Sequence, residues 1–93
     1  MDYVETAARI GKLVQEKNIK YGDSFSKSGK IIEILYPDGV KPEGYQDLLT
    51  ITRVIDKLFR IATSKDAFGE SPWQDIAGYA ILSVKKDNDK NKE

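Results

Sequence analysis

The segment from about Tyr45 to Ala62 is the longest and most periodic stretch of the chain, and it constrains the fold most. Ile51, Val54, Ile55, Leu58 and Ala62 recur at helical spacing and make one apolar face. Arg53, Asp56, Lys57 and Arg60 recur at the same spacing on another face, where residues three and four apart meet. Such a helix buries one stripe and presents two arginines and a lysine around an aspartate. Core and site are therefore expected on the same element. The alternative is a solvated polar face with internal ion pairs, each worth about 0.3–0.5 kcal/mol.

The other elements are placed around this one. Residues 3 to about 20 read as a first helix, with Tyr3, Ala7, Ile10 and Val14 as its stripe and Val4, Ala8 and Gly11 beside it. Lys12, Lys17 and Lys20 load its C-terminal half with charge that suits the helix dipole. Gly22 is the expected stop, because glycine enters the left-handed conformation without penalty. Ser24 to Gly29 reads as a polar loop with Ser26 or Ser28 as N-caps, followed by a short helix over Lys30 to Tyr36. Pro37-Asp38-Gly39 makes a turn. Thr63 to Gly69 reads as a loop. Ser71-Pro72-Trp73-Gln74 then starts a helix, with serine as N-cap, proline at N1 and glutamine completing a capping box. That helix carries Ile76, Ala77, Tyr79, Ala80, Ile81 and Val84. From Lys85 to Glu93 there is no apolar residue, and this tail is expected to be disordered. The expected architecture is all-α: one compact four-helix domain over residues 1–84, one helix short, with a disordered charged tail over 85–93.

Composition narrows the chemistry. Ninety-three residues allow one domain with a small core, so oligomerisation would help to build a larger pocket. Fifteen basic and fifteen acidic residues cancel, which argues against sequence-independent binding to duplex nucleic acid. There is no cysteine and no histidine, which removes disulfides and the commonest general base and transition-metal ligand. Any metal would be a hard cation on oxygen ligands, magnesium or manganese first. No apolar run approaches the roughly 20 residues of a membrane span, and no signal-peptide pattern opens the chain. A cytoplasmic protein is expected.

Three polar clusters remain beyond the core positions. They are Lys17, Lys20, Tyr21 and Asp23; Arg53, Asp56, Lys57 and Arg60; and Glu70 and Asp75, with Tyr79 one turn further on. If Asp56, Glu70 and Asp75 converge they could hold a divalent cation, with the basic residues on phosphates. Without a metal, the arginines still suit phosphate through two-pronged hydrogen bonds. Each residue also has a plainer reading. Asp75 complements the dipole of its own helix, Tyr79 packs in the core with its hydroxyl outward, and Trp73 is a hydrophobic anchor rather than a stacking platform. No phosphate-cradling glycine loop is present.

Three blocks occur in order: Glu16-Lys17-Asn18-Ile19-Lys20-Tyr21-Gly22-Asp23-Ser24-Phe25, Arg53-Val54-Ile55-Asp56-Lys57-Leu58-Phe59-Arg60, and Glu70-Ser71-Pro72-Trp73-Gln74-Asp75-Ile76-Ala77-Gly78-Tyr79-Ala80. Over roughly residues 4 to 84 they resemble small phage and prophage proteins of the nucleotide modification associated domain family. That family is similar in outline to the all-α, MazG-like nucleoside triphosphate pyrophosphohydrolases. The resemblance implies a nucleotide ligand. The MazG-like enzymes bind magnesium through Glu-x-x-Glu on one helix and Glu-x-x-Asp on the next. Here Arg53 stands where an acid would be needed beside Asp56, and the second pair is reduced to Asp75 with Glu70 five residues earlier. Such a departure puts catalysis in doubt more than binding.

The leading expectation is a phage-type protein of the infected host's cytoplasm that sequesters a signalling nucleotide, such as a cyclic oligonucleotide of host immunity. It would use no cofactor and act as a homo-oligomer, by analogy with small helical phage sponges. Arg53, Lys57 and Arg60 would contact phosphates, Lys17 and Lys20 would form a second set, Asp56 would orient the arginines, and Tyr21 or Trp73 would stack on a base, with Tyr79 nearby. The runner-up is a magnesium-dependent pyrophosphohydrolase using Asp56, Glu70 and Asp75. The third is a protein interaction module.

Overall fold

The computed structural model describes residues 2–63, 69 and 71–91. Four helices account for nearly all of them: α1 (Tyr3–Lys20), α2 (Ser24–Leu35), α3 (Tyr45–Thr63) and α4 (Pro72–Asn91), with a 3-10 turn at Pro42–Gly44 before α3. The chain is all-α, as its periodicity predicts, and no strand occurs among the described residues. None of the four described helices is long and apolar enough to cross a membrane.

Local chemistry sets the ends. Asp2 caps α1 by accepting a hydrogen bond from the Glu5 amide at 2.8 Å. At the other end the Asp23 amide donates to the Asn18 carbonyl at 2.9 Å and the Gly22 amide to the Ile19 carbonyl at 3.4 Å. This is the paired closure that a left-handed residue after the last turn allows, and Gly22 has φ +66°. Asp23 is left-handed as well, at φ 57°. Two such residues in succession reverse the chain at once, so α2 begins at Ser24. The loop expected over Ser24–Gly29 is therefore helix. Ser26 and Ser28 lie inside α2 rather than capping it, and the Ser28 hydroxyl donates to the Ser24 carbonyl one turn back. Pro37-Asp38-Gly39 turns as expected, the Gly39 amide donating to the Tyr36 carbonyl at 3.1 Å. Ser71 caps α4, its hydroxyl accepting from the Gln74 amide at 3.3 Å.

The charged tail also departs from the sequence expectation. Its residues 85–91, expected to be disordered, continue α4 to Asn91; residues 92 and 93 lie outside the described ones. Ion pairs replace the missing apolar face. Lys85 pairs with Asp89 one turn on, and Lys86 reaches Asp47 of α3 at 2.8 Å. Most of the loop expected between α3 and α4 (residues 64–68) and the predicted metal ligand Glu70 also fall outside the described residues.

Packing is uneven. α3 packs chiefly on α4 and secondarily on α2, while α1 joins none of the principal helix pairs. Tyr21, just past α1, is buried, and Ile55 of α3 is buried at 3% exposure. The molecule measures 53 × 31 × 27 Å with a radius of gyration of 16.8 Å, against about 12 Å for a closely packed chain of this length. Apolar side chains on every helix stay exposed, from Tyr3 to Val84.

Candidate functional site

The polar face of α3 meets α4 in an antiparallel ladder. Asp47 pairs with Lys86 at 2.8 Å near one end, and Lys57 pairs with Asp75 at 3.1 Å near the other. Between them the Arg53 guanidinium carbon lies 5.8 Å from the centroid of the Tyr79 ring. Each step forward on α3 is matched by a step back on α4. The predicted residues Arg53, Lys57, Asp75 and Tyr79 are thus brought together on one helix–helix seam.

Asp56 and Arg60 point to a second place, the junction with the end of α1. The Arg60 Nε donates to Asp56 Oδ2 at 3.2 Å, and the Arg60 guanidinium carbon lies 5.1 Å from the centroid of the Tyr21 ring. Of the two arginines that Asp56 is expected to orient, it pairs with Arg60. Tyr21, however, is buried under that arginine, so its ring is not an open platform for a base. Lys17 and Lys20 occupy the last turn of α1, next to Tyr21. Trp73 stands apart: it lies two residues from Asp75, about 200° round the helix, and is 57% exposed. Neither the buried anchor nor a wall of the α3–α4 seam describes its position.

Among the described residues, which leave out Glu70, the acidic side chains do not gather into a metal centre. Asp56 is held by Arg60 and Asp75 by Lys57, and among the described residues no three acidic side chains converge closely enough to hold an ion. A cation next to each carboxylate is the opposite of what a magnesium site needs.

Beside Arg53 and Tyr79 the α3–α4 seam carries an open cleft of about 540 Å³. Gln46, Thr50 and Arg53 line it from α3, and Tyr79, Ser83 and Lys86 from α4, with the apolar Leu49 and Leu82 on its walls. A second hollow of about 290 Å³ lies on the other side of Arg53, against Thr52, Asp56 and Lys57. Arg53 therefore borders both. Sequence reasoning missed Gln46, Thr50, Ser83 and Lys86. A signal was present: each trio repeats at spacings of four and three, so each lines one face of its helix. Lys86 has its pKa raised above the ordinary value, mainly by the hydrogen bond to Asp47.

No family model, curated protein or solved structure matches the chain.

Proposed function

We propose that this chain binds a phosphorylated nucleotide in the α3–α4 cleft and sequesters it rather than cleaving it. The ligand class is a nucleotide or cyclic oligonucleotide, and the protein acts as a homo-oligomer in the cytoplasm of an infected bacterial host, needing no metal.

One observation carries the reading. Among the described residues, Lys57 and Arg60 each have a carboxylate partner, whereas Arg53 has none: it rests on the Tyr79 ring at the floor of the cleft. An exposed guanidinium offers two parallel donors to a phosphate. Gln46, Thr50 and Ser83 supply neutral hydrogen-bonding groups around it, Leu49 and Leu82 offer apolar walls to a base, and Lys86 lines the cleft while paired with Asp47. The cleft's volume falls in the range of small-molecule sites. Arg53 thus takes the central phosphate role among the five cations, Lys17, Lys20, Arg53, Lys57 and Arg60, that the sequence assigned to phosphate. Lys57 and Arg60 serve the fold.

The test is equilibrium dialysis against nucleoside triphosphates and cyclic di- and trinucleotides, with magnesium or with chelator, followed by heat release and identification of the ligand. The reading expects intact ligand, binding indifferent to chelator, and a loss of about 10- to 100-fold in affinity in Arg53→Ala. Monophosphate and pyrophosphate appearing only with magnesium would establish the pyrophosphohydrolase instead. No binding across the panel would leave the interaction module.

A further inference from the structure

The chain exposes more surface than a folded monomer should. Its accessible surface is 7512 Å². A folded monomer of 10.5 kDa has about 5,400 Å². About 2,100 Å² per chain is therefore in excess, and a pair that covered it would bury about 4,200 Å² in total. That lies within the range of obligate homodimers, well above that of transient encounters.

The excess has a pattern. On α1, Tyr3, Ala7, Ile10 and Val14 recur at spacings of four, three and four. All four are exposed, Tyr3 at 94%. On α4, Trp73, Ala77, Ala80 and Val84 recur at the same spacings, with Ile81 beside them at 70% exposure. This second stripe lies opposite the Asp75–Tyr79–Lys86 face that meets α3, so α3 cannot cover it. An apolar repeat of 3.5 residues is the pattern of helices that pack side by side at a shallow angle. The two stripes share a design, an aromatic residue followed four residues later by alanine and ending in valine. The small residues Ala7, Gly11, Ala77 and Ala80 let two backbones come close. Helices of 18 and 20 residues are also matched in length, at about 27 and 30 Å.

We infer that the occupant of both stripes is a second copy of this chain, with α1 of each copy lying along the outer face of its partner's α4. One reciprocal contact of this kind satisfies both stripes and closes under twofold symmetry. It also gives α1, which its own chain leaves outside the packed helices, a hydrophobic partner. This inference stands on surface area and spacing and does not depend on the nucleotide.

Sedimentation equilibrium of the full chain from 1 to 100 µM tests it. The expected mass is about 21 kDa, twice the 10.5 kDa chain. Ile10→Asp and Ile81→Asp should each weaken association at least about 100-fold, because each buries a charge in the interface. Glu16→Lys, on the opposite side of α1, should leave the mass unchanged. A wild-type mass of one chain at 100 µM overturns the inference whether or not any variant folds. An unchanged mass in Ile81→Asp overturns the pairing with α4, and circular dichroism of each variant separates dissociation from unfolding.

Discussion

From sequence Lys57 is expected on a phosphate and Asp75 on a metal in the pyrophosphohydrolase alternative, and the structure pairs them with each other as a clasp between α3 and α4. Replacing them singly and together, by Lys57→Met and Asp75→Asn, measures that role. At 3.1 Å the bare attraction is about 5 kcal/mol for an effective dielectric of 20. Most of it is cancelled by removing water from the Lys57 side chain, which is 14% exposed. Asp75, at 37%, stays in contact with water, which screens the remainder. The coupling should come to about 1 kcal/mol, at the upper end of values for exposed pairs. The single substitutions should differ. Asp75→Asn strands a mostly buried ammonium and should cost about 2 kcal/mol; Lys57→Met leaves a carboxylate that can hydrate in the first turn of α4 and should cost about 1 kcal/mol. The assay is urea unfolding followed by circular dichroism. With a slope of about 1 kcal/mol per molar for a chain of this size, the coupling corresponds to about 1 M in midpoint. A coupling below about 0.3 kcal/mol, or a larger cost for Lys57→Met, would refute the clasp. Additive effects together with weakened nucleotide binding in Lys57→Met would return Lys57 to the ligand site.

Two further predictions concern the α1–α2 corner. Gly22→Ala forces a side chain into φ +66° and places its Cβ 3.1 Å from the Thr63 methyl; it should cost about 1–2 kcal/mol, lowering the Tm by about 5–10 °C, and an unchanged Tm would show that this corner is not tight. The Asp23 carboxyl is held below its ordinary pKa by the Ser26 hydroxyl first and the Asn18 side chain second. A lowered folded pKa favours the native state above the ordinary value of 3.8, and that contribution disappears as pH falls through the lower folded value. Asn tolerates the left-handed backbone, so the stability difference between wild type and Asp23→Asn in urea should shrink on acidification from pH 5 to 2; a difference that grows would reverse the assignment.

Helix positions were readable because they depend on neighbours in sequence. Gly22, Pro37-Asp38-Gly39 and Ser71-Pro72 end or begin elements through their own backbone preferences, and α1 spans the residues its stripe predicted. The failures share a cause. Ser24–Gly29 looks like a loop because serine and glycine are weak helix formers, but the double left-handed turn at Gly22 and Asp23 leaves no room for one. Residues 85–91 lack an apolar face, yet Lys86 gains a partner on α3 that lies far away in sequence.

The same division runs through the candidate site. Arg53, Asp56, Lys57 and Arg60 share a helix face by spacing alone, and that was legible. Which of them pairs with a carboxylate on α4, which pairs within α3 and which is left on an aromatic ring was not. Helical periodicity states which side chains sit together on one element. It carries no information on the axial register of α3 against α4. That register places Asp75 beside Lys57 and Tyr79 beside Arg53, and it opens the cleft that Ser83 and Lys86 line. From sequence alone came the helical class, the helix ends and the amphipathic faces, because local hydrogen bonding and a 3.6-residue repeat determine them. The tertiary structure decided which charges are neutralised and which apolar faces remain uncovered, because both depend on how far one helix slides along another.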